Sequence, residues 1–431
     1  MSALLDSLTD EQLEAATATA PDVILTAAAG AGKTRVLVAR IVHLIESGVE
    51  PAEIVAFTFT RSACEEIRSR VAAEIGHHAA RAITVTTFHA YAAAIVVPQG
   101  FRVATETEAR VARDSVLKTR INGERNPVYV PGLCGVEKFE ADLVEREAHL
   151  GLITREIKFV LSRLVDQRLF PTWDLLPLLL AYGVQLAPAR HVLVDEAQDI
   201  TRAEGLLLSR IPSPDGAPVH HFAVHDPRQA IMGWRGGIGV EALGWMKDPE
   251  RLSLTRCFRF GPEIADVANR VAAAFGGDPI VGAGPAGTVT RALRADFARH
   301  ETGLVLARTN LLASQAPRFF TGVKHVRRDP MDVFGRDADH FGETWASGYG
   351  VCSTVHSAKG READCVLMMD HDDPRSQFPK RKDVEDLRVL YVAVTRARTR
   401  LCIGRLSPEG EAAIGLAEEA PAAYTQEDAP W

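Results

Sequence analysis

No apolar run in this 431-residue chain approaches the roughly 20 residues that a helix needs to cross a bilayer. The opening MSALLDSLTDEQ lacks the basic, apolar and small-residue sections of a secretory leader. A cytoplasmic protein with no membrane partner is the expectation. C-x-x-C pairs are also missing. The six cysteines (64, 134, 257, 352, 365 and 402) stand far apart, which argues against a zinc knuckle or a disulfide framework and for reduced, mostly buried thiols. His77-His78 and His220-His221 have no Cys or carboxylate at ligand spacing, so surface or packing roles are expected for them. A basic excess is absent too: 49 Lys and Arg against 56 Asp and Glu leave a net charge of −7, which speaks against a dedicated nucleic-acid binder on charge alone. The acid is unevenly placed, however. After Arg405 no Lys or Arg occurs, while Glu409, Glu411, Glu418, Glu419, Glu427 and Asp428 follow. Residues 407–431 therefore read as a solvated acidic tail, and the nearly neutral remainder leaves room for a local basic groove. No internal repeat of fixed period is present.

What is there is an ordinary soluble composition, 46% hydrophobic and 24% charged, on a chain long enough for two or three cores. VILTAA (23–28) reads as a buried strand, followed by a glycine turn and an amphipathic helix to about Ser47. IVAFTF (54–59), ITVTTF (83–88), HVLVDE (191–196) and HHFAVHD (220–226) are further apolar strands that end in polar residues. Buried strands alternating with helices predict an α/β fold with a parallel sheet, whose ligands sit at the carboxyl ends of the strands. Between Tyr91 and Ala187 the sequence turns charged and helical, as an insertion would. From Arg256 a second α/β pattern begins, with strands in GLVLART (303–309), GVCSTVHSAKG (350–360), DCVLMMD (364–370) and RLCIGRL (400–406), and a loop at GGDPIVGAGPAG (276–287).

AAAGAGKTRVL (27–37) stands between the first strand and helix. Backbone N–H groups of Ala29, Gly30, Ala31, Gly32, Lys33, Thr34 and Arg35 can close around phosphate oxygens, with Lys33 reaching the terminal phosphates and Thr34 able to ligate Mg²⁺. Ala27 occupies the position where the strict pattern has glycine. In VLVDEAQDI (192–200), Asp195 can hold Mg²⁺ and Glu196 can orient and deprotonate a water; the alternative for such an acidic pair is a helix cap. Together the two stretches read as nucleoside triphosphate hydrolysis with ATP and Mg²⁺.

From DEAQD onward the motifs, in their order from Leu8 to Ile403, resemble the UvrD/Rep group of superfamily 1 DNA helicases. LTDEQLEAA (8–16) is similar to the family's glutamine motif, which implies that Gln12 reads an adenine edge. FTFTRSA (57–63) and TTFHA (86–90) resemble elements that line the single-strand groove in the family, which implies DNA contacts for Phe59 and His89; Phe59 and Phe88 can also be read as core aromatics at strand ends. FAVHDPRQAIMGWRGG (222–237) resembles G-D-x-x-Q-x-I-Y-x-F/W-R-G-A. The resemblance implies that Gln229 senses the γ-phosphate, Trp234 stacks on a base and Arg235 adds a DNA contact; a buried Trp234 with no ligand is the alternative. His225 replaces the family's glycine there and Met232 its aromatic. RCFRFGPEIADVAN (256–269) is similar to N-Y-R-S, which implies that Phe258 stacks on adenine and Arg259 reaches the γ-phosphate. STVHSAKGREAD (353–364) resembles T-x-H-x-x-K-G-L-E-F, which implies ribose contact for Glu362 and DNA contact for Thr354 and His356, although Arg361 and Ala363 replace the apolar pair. LYVAVTRAR (390–398) matches the last motif and implies that Arg396 is the second arginine on the phosphoryl group, against the alternative of a local surface ion pair.

The resemblance implies two RecA-like parallel-sheet P-loop NTPase motor domains: a first at 1–90 and 188–255, a helical accessory insertion at 91–187, a second at 256–406 with a reduced insertion at 311–350, then the tail. No further catalytic domain is expected after the last strand. The implied activity is ATP-driven 3′-to-5′ movement on single-stranded DNA with strand separation at junctions, by a monomer on DNA with replication or repair proteins as partners. Protein removal without unwinding, or DNA binding without catalysis, are the rival readings. Arginines supplied from the second α/β region to a site whose Lys33 and Glu196 lie in the first would gate hydrolysis by domain closure.

Overall fold

Short aliphatic runs become strands wherever both faces are covered. β1 (Asp22–Ala27), β2 (Ile54–Thr58), β3 (Thr84–Thr87), β6 (His191–Val194), β7 (His220–His225) and β8 (Glu250–Leu254) form one six-stranded sheet in the order β3-β2-β6-β7-β1-β8. In this computed structural model β2 pairs with β3 and β6, and β6 with β7, all in parallel. Every residue of β2 and β6 is buried, as a parallel sheet under helices requires. The residues described are 3–96, 102–103, 169–170, 185–233, 236–291, 302–318, 322–326, 340–368, 384–404 and 406–415.

Polar residues at the strand ends start the helices. Thr60 accepts the Ala63 N–H at the head of the helix Arg61–Ile75, and Thr87 accepts the Ala90 N–H at the head of Phe88–Val96. Phe57 and Phe88 then stack at 4.7 Å with Tyr91 edge-on at 5.2 Å, inside a core with Val192, Val194 and Leu207. Burying each such ring contributes about 2–3 kcal/mol. Within 91–187, β4 (Arg102–Val103) and β5 (Leu169–Phe170) make a short parallel ladder. The rest of the expected helical insertion, apart from the end of Phe88–Val96 and residues 185–187, lies outside the described residues.

β11 (Thr288–Arg291), β12 (Gly303–Ala307), β13 (Val323–His325), β14 (Gly350–Thr354), β15 (Ala363–Met368) and β16 (Ala397–Ile403) form a second six-stranded sheet, ordered β11-β16-β15-β12-β14-β13, and all its pairings are parallel. Its core is Val305, Ala307, Cys352, Cys365 and Leu367 with the helix Asn310–Gln315. Three details depart from the sequence reading. Part of the span 276–287, expected as a loop, is strand β10 (Val281–Gly282), paired with β9 (Arg256–Cys257). Part of 311–350, expected as a reduced insertion, supplies the edge strand β13. The start of the expected acidic tail is a helix, Pro408–Ile414, capped by Ser407, with Glu411 accepting from Arg291 and from the Leu406 N–H. A carboxylate that satisfies both a guanidinium and a backbone donor is packed structure, whatever the charge of its neighbours.

The chain divides into two compact units, residues 1–25, 34–225 and 232–252 in one and 26–33, 226–231 and 253–431 in the other. Residues 26–33 and 226–231 thus fall outside the unit expected from chain order. The cause is local: the Ala28 N–H donates to Leu254 O, and Lys359 donates to Gln229 O. The five described cysteines form no disulfide and are buried. Among the described residues, no helix is long and apolar enough to cross a membrane.

Candidate functional site

The glycine turn after β1 carries Gly30 at φ 72° and Gly32 at φ 89°, conformations that suit glycine and turn successive N–H groups inward. Gly30 is needed for a second reason. A Cβ there would sit 2.6 Å from Arg259 Cβ and 2.7 Å from Cys257 Sγ. Gly30 O accepts the Phe258 N–H at 2.9 Å, so the turn and the segment 256–259 are one packed piece. Lys33 opens the helix Lys33–Glu46 and is 9% exposed. Ala29 and Ala31 are buried, and the Ala31 N–H closes the turn on Ala28 O. Arg35 starts the outer face of the helix, and its guanidinium is held on Ser7 O and Ser7 Oγ. Its side chain is therefore turned to Ser7, and only its backbone N–H suits the phosphate role.

Asp226, at the end of β7, is fully buried. Burial pushes its carboxyl up, but Lys33, Arg228 and the Gln229 amide outweigh this and hold it below the usual carboxylate range. Gln229 Nε2 donates to Asp226 Oδ2 at 2.7 Å, and Gln229 Oε1 accepts from Arg396 Nη2 at 2.9 Å. Arg396 is 1% exposed; it also donates to Val392 O, Arg361 O and Thr395 Oγ1. That burial removes the surface ion-pair reading of Arg396. The chain Lys33, Asp226, Gln229, Arg396 couples the phosphate turn to the last motif through one amide.

Arg259 forms an ion pair with Glu362, Nε to Oε2 at 2.5 Å, and donates to Thr395 O at 2.8 Å. Burial raises the Glu362 carboxyl, but Arg259, then Arg398 and Arg396, lower it overall. The residue expected on ribose and the one expected on the γ-phosphate are thus paired with each other. Phe258 is 41% exposed, with the Arg256 guanidinium 5.8 Å from its ring centre, and offers a flat face for stacking. Arg361 lies over Phe341, its guanidinium 5.6 Å from the ring centre.

In the other unit, Asp195 follows β6 and its Oδ1 accepts the Glu196 N–H at 3.0 Å. Glu196 adopts φ 54°, a left-handed conformation that a non-glycine residue keeps only where its surroundings impose it. Its carboxylate accepts from Gln198 Nε2. Thr34 is half-buried in the first helical turn. Gln12 is buried and serves as the third residue of a capping box, its Oε1 accepting the Thr9 N–H at 3.2 Å.

Of the residues expected at DNA, Phe59 is half-buried against the core beside Phe88, and His89 is buried. Phe88 is wholly core. Thr354 donates to Ser357 Oγ and accepts the Ser357 N–H, which makes it the cap of the turn after β14. His356 has its pKa pushed down to about 4 by burial, then by Arg308 and Lys359, so it is neutral near pH 7. Trp234 and Arg235 lie outside the described residues. Sequence reasoning gave no role to Asp226, Lys359 and Gln198. All three stand inside the quoted motifs, and the signal was the charge or amide at the end of an apolar run.

A model of the UvrD/REP helicase N-terminal domain matches residues 8–157, and one of the UvrD-like helicase C-terminal domain matches residues 349–403. Among curated relatives, the ATP-dependent DNA helicase PcrA of Leuconostoc citreum is 30% identical over 298 residues, covering 62% of this chain and 39% of that protein. Proteins of the same name from Staphylococcus epidermidis and Staphylococcus aureus are 29% and 28% identical, each over 63% of this chain and 40% of their own length. The chain spans about two fifths of the length of the curated relatives it matches.

Proposed function

We propose that this chain, which belongs to the UvrD/Rep-like helicase group, is a DNA-stimulated ATPase that moves 3′-to-5′ on single-stranded DNA and separates strands at junctions. The observation that carries the reading is the packing of the phosphate turn with Gln229, Arg259 and Arg396 in one compact unit. Phosphoryl transfer requires neutralised charge on the γ-phosphate, and the two arginines have the fixed planar geometry for it. Lys33 and the N–H groups of 29–35 would bind the phosphates, Phe258 would stack on adenine, and Gln12 and Glu362 would complete the nucleoside contacts.

The hydroxyl of Thr34 and the carboxylate of Asp195 are the hard oxygen donors that Mg²⁺ takes, and Asp195 is held in place by the Glu196 N–H. Bound there, Mg²⁺ would neutralise phosphate charge. Glu196 would orient the attacking water and take its proton. Phe59, His89, Trp234, Arg235 and His356 would contact the strand, His356 through hydrogen bonds because it is neutral. A cytoplasmic monomer working with replication or repair proteins fits these roles.

The test is ATP turnover with and without single-stranded DNA, in the natural protein and in Lys33→Ala and Glu196→Gln. DNA-stimulated turnover, lost in both variants and with nucleotide binding retained in Glu196→Gln, is expected. Turnover indifferent to DNA would sink the motor reading. Release of a strand from a duplex with a 3′ tail then separates unwinding from movement alone.

A further inference from the structure

Among the described residues, the Tyr391 hydroxyl is buried with no acceptor for its proton. A buried hydroxyl proton left without an acceptor carries a desolvation cost, and its persistence at a site needs a reason. Tyr391 lies on the helix Val384–Val394, which packs against the turn Pro227–Gln229. Its ring is edge-on to Phe275 at 6.0 Å, and the Arg228 guanidinium sits 5.8 Å from its centre. Arg228 Nε in turn donates to Asp226 Oδ1 at 3.3 Å, so one guanidinium spans the tyrosine and the carboxylate. Burial, then the Asp226 charge, hold the phenol well above its usual range, while the Ala29 backbone N–H donates to its oxygen and pulls the other way; what the hydroxyl lacks is an acceptor. The hydroxyl therefore lies where the phosphate turn, Asp226 and the last motif meet.

Asp226 is a buried anion whose counter-charges include Lys33. A phosphate competes for that same ammonium. When Lys33 turns to it, Asp226 keeps Arg228 and Gln229 but loses the foremost of the groups that stabilise its charge. A buried carboxylate that loses a partner is costly unless another donor replaces it.

We infer that Tyr391 is a positioning residue for nucleotide binding: its hydroxyl donates to the Asp226 carboxylate once Lys33 engages a phosphate, which frees the lysine. The proposal rests on the ATP reading above. It assigns Asp226 two alternating partners and gives the hydroxyl proton an acceptor in one of the two states.

The test compares the full chain with Tyr391→Phe, which keeps the ring and removes the oxygen. Without nucleotide the variant should melt within a degree or two of the natural protein, because the loss of the bond from the Ala29 N–H is offset by removal of a buried proton that has no acceptor. The dissociation constant for Mg²⁺ and a non-hydrolysable ATP analogue should rise about tenfold, the low end for losing a hydrogen bond to a charged group. In an Asp226→Asn background the same change should have much less effect. A variant that melts lower without nucleotide and binds the analogue as the natural protein does would show a merely structural tyrosine and overturn the inference. If the natural protein itself fails to bind the analogue, it is the ATP reading that fails.

Discussion

Gly30→Ala and Gly48→Ala form a matched pair that separates backbone strain from close packing. Both glycines have positive φ, +72° at Gly30 and +93° at Gly48. Alanine at either position therefore carries a conformational cost of about 1–2 kcal/mol. They differ in what the new methyl meets. At Gly48, just after the helix Lys33–Glu46, nothing lies within 4 Å. At Gly30 the methyl would be 2.6 Å from Arg259 Cβ and 2.7 Å from Cys257 Sγ, with Arg259 N at 3.3 Å. Backbone and Cβ atoms cannot swing aside as a side-chain tip does, so overpacking adds about 1–3 kcal/mol. The total for Gly30→Ala is then about 2–5 kcal/mol, each kcal/mol lowering the melting midpoint by roughly 2–4 °C for a domain of this size. Displacing the turn should also weaken nucleotide binding about tenfold, equivalent to about 1.4 kcal/mol, whereas Gly48→Ala should leave it unchanged. Adding Cys257→Ala to Gly30→Ala removes the sulfur contact and should recover part of the loss, with Arg259 accounting for the rest. Thermal melts and nucleotide titration of the four proteins read this directly. Equal losses for the two glycine variants, with nucleotide affinity intact in both, would refute the packed turn.

Two further outcomes are expected. His191 has its pKa pushed down to about 4 by burial, then by His220, Arg40 and Arg190, so the folded state holds it neutral. Its unfolded pKa is about 6.5, so its contribution is complete above that value and is lost as pH falls toward 4, at most about 3 kcal/mol. Urea midpoints of His191→Gln should therefore fall less between pH 7 and pH 4.5 than those of the natural protein; parallel slopes would count against this. Arg396→Lys keeps the charge but not the fork that reaches Val392 O, Arg361 O, Gln229 Oε1 and Thr395 Oγ1. Losing two such bonds costs about 3–6 kcal/mol, and DNA-stimulated turnover should drop by about 10³ or more. Turnover within a few-fold of the natural rate would remove Arg396 from the chemistry.

The motifs were readable because each needs a fixed spacing along the chain. Strand, glycine turn, lysine and helix must follow one another for N–H groups to converge, so AAAGAGKT announces its geometry locally. The same holds for the threonines that cap helices, since Thr60 and Thr87 act on residues three ahead. Less readable were the pairings across the chain. Nothing near Arg259 indicates Glu362, 103 residues away, and nothing near Gln229 indicates Arg396, 167 residues away. The helix at Pro408–Ile414 was hidden for a similar reason: the basic partner of Glu411 is Arg291, far upstream, while the local sequence shows only acid.

The sequence by itself determined the parallel α/β character, the order of the motifs and the residue types available for phosphate chemistry, because hydrophobic period and turn chemistry are short-range properties of the chain. Only the tertiary structure decided which charges meet: Asp226 between Lys33 and Arg228, Arg259 on Glu362, and Tyr391 buried with no acceptor for its hydroxyl proton. Burial sets the value of each of those contacts, and burial depends on what the distant parts of the chain place around a group.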